Sequence, residues 1–358
     1  DEKKPVMVWI HGGGFLNESA SDDIYLGQFF IRNNPNVILV TIEYRLGVFG
    51  YMTFDETEGG EEYAETSILG NLDQLCALKW VKKNIAGFGG DEDRITIFGE
   101  SAGSISCTML PLIEKPNGLY HRIIAQSGCC SYTFPKERRK FATDNLLRIT
   151  GCRSMKELIQ LPAQTIINNY PEISGGAVPY APIRDGRYIP FDDDEILAKW
   201  AENAKGLDLL IGCTSEEARY CLSSWFGLNE KQAANFFKNS YRDTKSKADG
   251  KYIRITDAFI ENCPLEKEWE RIERMYTLVG YSIGVDAFAK ACSENGNVWA
   301  YEFRLPAQNE LAKSYHSSDV EYVFNRKDRL ACFGYDDETI QKRCDEVQEV
   351  WVNFAKTG

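Results

Sequence analysis

The chain has 358 residues, 41 of them basic and 53 acidic, for a formal net charge of -12, and 43% are hydrophobic. This balance belongs to a soluble globular protein large enough to bury its own core without a disulfide or metal staple. The negative charge argues against a nucleic-acid partner, whose phosphates call for a basic face, and no apolar run approaches the ~20 residues of a membrane span.

Taken in chain order, Pro5–Ile10 reads as a strand followed by a glycine loop at Gly12–Gly14. A helical stretch at Tyr25–Arg32 precedes a second buried strand, Asn36–Glu43. Leu69–Ile85 has the apolar spacing of an amphipathic helix, with apolar residues at Leu72, Leu75, Cys76, Leu78, Val81 and Ile85. Gly87–Asp93 reads as a turn, Arg94–Gly99 as a strand, the segment after Ser101 as a helix and Arg122–Ser127 as a strand. Further on, Asp208–Gly212 and Asn297–Phe303 read as two more core strands. Val/Ile/Leu-rich strands separated by helices predict an α/β fold, with a mostly parallel sheet covered on both faces.

Between the last two strands the pattern is helical, with pieces at Lys231–Lys238, Thr256–Asn262 and Glu268–Val279. This predicts one domain over residues 1–358 with a helical insertion or cap at 221–296. The chain does not begin with methionine, and Trp351–Gly358 reads as a helix stopped by Gly358, so both ends read as cut. Eleven cysteines, with no C-x-x-C pair, read as buried free thiols and favour a reducing, cytoplasmic setting over a secreted one. Zinc-type spacing is absent from the sequence, so no metal or other cofactor is expected.

Gly99–Glu100–Ser101–Ala102–Gly103 is a G-x-S-x-G directly after a predicted strand and before a predicted helix. That is the context of a nucleophile elbow, in which small neighbours let a serine sit on a sharp turn above the sheet edge. The ordinary alternative is a helix cap by Ser101. His11–Gly12–Gly13–Gly14–Phe15 predicts an oxyanion hole, with the amides of Gly13 and Gly14 joined by that of Ala102.

A serine at its ordinary pKa needs a base. In the order Ser, acid, His, chain order excludes His11, and His121 leaves no room for an acid before it; His316 remains. His11 and His121 are expected to be structural. The acid belongs at a strand end between Ser101 and His316, where Asp208–Gly212 is followed by Glu216 and Glu217, which position alone does not separate. Glu100 is a second buried-carboxylate candidate, for electrostatics or water ordering. With His316 as base, kcat/KM is expected to fall below pH ~6.5.

The stretches VMVWIHGGGF, EYRLGVFGYM, GNLDQLCALKWVKKNIAGFGGDEDRITIFGESAGS and GLYHRIIAQSG resemble the type-B carboxylesterases, the family of the cholinesterases and bacterial para-nitrobenzyl esterases. The likeness is strong over Pro5–Gly128 and recurs at Tyr180–Tyr220 and Asn297–Gly358. It implies an α/β-hydrolase fold, a serine nucleophile and small-molecule ester substrates. It also places the acid on Glu217, through the family's G-x-x-x-D-E pattern at Gly212–Glu217, and matches His316, Gly13, Gly14 and Ala102 to the family's base and oxyanion donors. Against the family pattern, the N-terminal region ahead of Pro5 and a C-terminal helix after Phe354–Gly358 are missing, with residues that line the gorge in the family's animal members. A cysteine bridge of secreted members, from the position of Cys152, meets Gln160 here, and the sequon Asn17–Glu18–Ser19 does not outweigh that. The alternatives are a binding or adhesion protein on the same fold, or a lipase, thioesterase or amidase with the same triad.

Overall fold

The structure, a computed structural model, describes residues 2–174, 180–223, 226–294, 296–307, 309–330 and 335–358. Six strands, β1 (Lys4–Ile10), β2 (Ile38–Ile42), β3 (Gly90–Glu100), β4 (Arg122–Gln126), β5 (Asp208–Thr214) and β6 (Asn297–Phe303), form one sheet. Their order is β2-β1-β3-β4-β5-β6, and every neighbouring pair is parallel.

Alternation along the strands explains why they read as unbroken apolar runs. Val6, Val8 and Ile10 of β1 face one core, while Met7 and Trp9 face the other. Likewise Ile97 and Phe98 of β3, Ile123 and Ile124 of β4, and Ile211 and Leu210 of β5 divide between the two sides. The first core is closed by the helices Leu69–Asn84, Ala102–Ile113 and Asp193–Asn203, the second chiefly by Asp337–Thr357. On the second side Trp9 packs edge-on against Phe98 and Phe324 at 4.9 and 5.0 Å between ring centroids. Each fully buried side chain of this size contributes about 1.5–3 kcal/mol.

Two expectations fail. Gly90–Asp93, read as a turn from its glycine and aspartates, is the start of β3: Gly90 pairs with Lys4, and a register shift follows before Val6 meets Ile95. Asn297–Phe303 is a strand but not a core one. Among the described residues it pairs with β5 alone, at the sheet edge, and leaves Trp299 43% exposed.

Between β5 and β6 run the helices Glu230–Lys247, Gly250–Asn262, Glu268–Thr277 and Ile283–Ser293. The first two begin earlier than the apolar pattern suggests, because Asn229 and Gln232 form a capping box and Asp249 accepts from the Tyr252 amide. The third gives way to a π-helical turn, Leu278–Ser282, that carries Tyr281. Among the described residues no helix is long and apolar enough to cross a membrane. Ten cysteines carry free thiols, seven of them buried as expected, but Cys76 on the helix Leu69–Asn84 is exposed and Cys152 and Cys263 are half-buried; Cys332 lies outside the described residues.

Candidate active site

In-register strand ends assemble the site. Gly99 is level with Ile10, Glu100 with Gln126, and Gln126 with Gly212. The ladder then runs on past the strands: Ser101 N donates to Gln126 O at 2.8 Å and Ser127 N to Gly212 O at 2.8 Å. The segments after β1, β3, β4 and β5 therefore leave the same edge of the sheet side by side.

Ser101 sits between β3 and the helix Ala102–Ile113 with φ 55° and ψ -119°. A non-glycine residue with positive φ is strained, and the glycines on either side explain how the turn fits. A Cβ on Gly103 would lie 1.9 Å from Ile10 O, and one on Gly99 2.5 Å from the same oxygen. The backbone of β1 passes that closely, so the motif's two glycines are steric requirements. Of the eight non-glycine residues with positive φ among the described residues, five (Phe15, Glu18, Ser101, Ser127 and Ser317) gather around this edge. Strain is concentrated here.

Of the two glutamates after β5, Glu217 meets the imidazole: its Oε2 is 2.5 Å from His316 Nδ1. Glu217 is fully buried, and its Oε1 accepts from Ser127 Oγ at 2.6 Å and from the Thr214 amide at 2.7 Å. Glu216 turns elsewhere, its Oε2 accepting from Ser215 Oγ and the Ser314 amide. The other ring nitrogen, His316 Nε2, is 3.1 Å from Glu100 Oε1, which also accepts from Ser317 Oγ at 2.8 Å. Among the described residues no hydrogen bond joins His316 to the Ser101 hydroxyl. Ser101 Cβ and Glu100 Oε2 both lie within 3.4 Å of the point a Cβ on Gly12 would occupy, so the glycine loop after β1 packs directly against the elbow.

Burial alone would lower the pKa of His316, but Glu100 and Glu217 on its two sides outweigh that and raise it to about 9. Burial likewise raises Glu100 to about 8 and Asp319, whose carboxylate accepts from Gln126, to about 6. The expected acidic limit of ~6.5 takes an unperturbed imidazole, whereas the two flanking carboxylates favour the protonated ring.

Ser101 opens onto a cavity of about 350 Å3 lined by Gly14, Phe15, Ala102, Ile105, Tyr132 and Tyr281, among others, and among the described residues no charged side chain lines it. Tyr281 lines this cavity and places its ring centroid 4.8 Å from that of His316. Gly13 and Gly14 turn with φ 80° and 62°, a conformation open to glycine at little cost. A larger cavity of about 830 Å3 borders Glu216, Arg219 and Arg274 and does not include Ser101. Among the described residues no group of three or more His, Cys, Asp or Glu side chains could hold a metal ion.

His11 and His121 lie apart from this pairing. His11 is buried, stacked on Tyr44 at 4.4 Å, and its carbonyl accepts from Tyr44 Oη. His121 Nδ1 accepts from the Ile95 amide at 3.3 Å. Sequence reasoning missed Ser127, Tyr281 and Ser317. The only local signals were their neighbours, a strand end for Ser127 and His316 for Ser317.

The carboxylesterase family model matches residues 1–358. The para-nitrobenzyl esterase of Bacillus subtilis is 31% identical over 99% of this chain and 71% of its own length. Carboxylesterase 1C of Rattus norvegicus is 29% identical over all of this chain and 66% of its own. The crystal structure of the carboxylesterase EST55 of Geobacillus stearothermophilus superposes with a TM-score of 0.82 at 32% identity, covering all of this chain and 74% of that one. This chain thus spans about two thirds to three quarters of the length of these relatives. Matched from end to end, and with the parallel sheet and helical layers of the α/β-hydrolase fold, it belongs to the carboxylesterase family, a family of carboxylic ester hydrolases.

Proposed function

We propose that this chain hydrolyses carboxylic esters through an acyl-enzyme on Ser101. Ser101 Oγ attacks the ester carbonyl while His316 Nε2 takes its proton, and Glu217 holds the ring by Nδ1 and offsets the charge it gains. The amides of Gly13, Gly14 and Ala102 stabilise the oxyanion, each such donor being worth ~2.7–4 kcal/mol of transition-state stabilisation. The alcohol leaves with the proton from His316. Water, activated by the same nitrogen, then releases the acid and frees Ser101. To begin the cycle Nε2 leaves Glu100 Oε1 and turns to the Ser101 hydroxyl.

One observation carries this reading: His316 Nδ1 is 2.5 Å from a buried Glu217, and its Nε2 faces the residue next to a serine at φ 55°. The 350 Å3 cavity, uncharged among the described residues, supports a neutral substrate with a short acyl or small aromatic group.

A panel of p-nitrophenyl esters of rising acyl length, beside a p-nitroanilide, tests it. Turnover of short-chain esters, falling as the chain lengthens and absent with the anilide, is expected. Preference for long chains would shift the reading to a lipase and anilide turnover to an amidase. Inertness toward every member would favour a non-catalytic binding protein.

A further inference from the structure

Ser317 follows His316 directly and holds a left-handed backbone, φ 73° and ψ 0°, which a residue with a side chain adopts at a cost. Its side chain is buried, and Oγ donates at 2.8 Å to Glu100 Oε1, the same oxygen that lies 3.1 Å from His316 Nε2. Glycine would suit the backbone better, so the hydroxyl is the feature that makes serine worthwhile here.

We infer that Ser317 is a positioning residue for ester hydrolysis: its hydroxyl fixes the Glu100 carboxylate against His316 and so sets how readily Nε2 is free to serve as base. This rests on the reading of Ser101 and His316 given above. A hydrogen bond donated to a carboxylate favours its ionised form. When one proton is shared between Nε2 and Oε1, the Ser317 hydroxyl therefore shifts it onto Nε2, where the ring cannot accept from Ser101. The other groups facing this pair are Glu217 on Nδ1, Asp319 from the helix Ser318–Val323, Glu18 and Tyr25 from the segment after β1, and Tyr281 from the π-helical turn. None of them contacts Glu100 Oε1 through a hydroxyl as Ser317 does.

The test compares the parent with Ser317→Gly, which removes the hydroxyl and the backbone strain, and Ser317→Ala, which removes the hydroxyl alone. With only three histidines, selective 15N-histidine labelling follows the His316 imidazole directly, assigned by loss of its signal in His316→Gln. Both variants are expected to titrate His316 about one to two pH units lower, the equivalent of one charge-assisted hydrogen bond. The acidic limb of kcat/KM on p-nitrophenyl acetate should move the same way. An unmoved titration in both variants, or an equal loss of rate at every pH with the limb in place, would overturn the inference. The imidazole titration reads out whether or not the chain turns over esters, and Ser101→Ala in the same assay reports on the hydrolase reading separately.

Discussion

His316 Nε2 lies 3.1 Å from Glu100 Oε1, so the imidazole stands between two buried carboxylates, Glu100 and Glu217. The two carboxylates favour the protonated ring, so kcat/KM should decline on the acidic side from above 6.5, since only the neutral ring can take the Ser101 proton. Glu100→Gln removes one of the two charges and should lower that limb. A pH–rate profile of the parent and of Glu100→Gln checks both; a parent limb at or below 6.5 would contradict the account.

The same groups tie stability to pH. His316 is raised on folding, so its contribution is full below its ordinary ~6.5 and is lost as pH climbs through about 9. Glu100 faces the same ring at 3.1 Å and competes for the same proton, so the loss belongs to the pair and is counted once. The melting temperature should therefore drop between pH 7 and 9, and drop less in His316→Gln. A flat or rising melting temperature over that range would count against the arrangement.

Glu217 accepts from Ser127 Oγ and the Thr214 amide on one oxygen and faces His316 on the other. Glu217→Gln keeps the shape but gives the ring an uncharged partner that can support the wrong tautomer. By comparison with other triads kcat should fall about 10^3- to 10^4-fold. A loss of less than about tenfold would remove Glu217 from the proposed mechanism.

At Gly103 an added Cβ would sit 1.9 Å from Ile10 O, whereas at Gly87 it would meet nothing within 4 Å. Gly103→Ala should cost more than ~3 kcal/mol or leave the chain unfolded, while Gly87→Ala should be neutral or stabilising by up to about 1 kcal/mol. Chemical denaturation of the two variants separates them, and equal stabilities would contradict the close passage of β1 beneath the elbow.

What could be read from the sequence follows from where each constraint lives. The elbow is legible because its steric demand falls on five consecutive residues, Gly99–Gly103, between a strand and a helix. Glu217 was not separable from Glu216 by position, since the choice depends on how the backbone turns after β5; only the family resemblance distinguished them. The roles of Ser127, Tyr281 and Ser317 were not legible, even where a strand end or His316 stood beside them. Ser127 meets Glu217 across 90 residues and Ser317 meets Glu100 across 217, and nothing local announces such contacts. The strand Asn297–Phe303 misled for another reason: Val298, Trp299 and Tyr301 have a core strand's composition, but a sheet edge exposes what composition alone would bury.

The most direct test of the central claim is to treat the chain with a fluorophosphonate and locate the adduct by mass spectrometry. One label on Ser101, lost in Ser101→Ala and strongly slowed in His316→Gln, is the predicted result. No adduct, or an adduct on another serine that persists in Ser101→Ala, would contradict it.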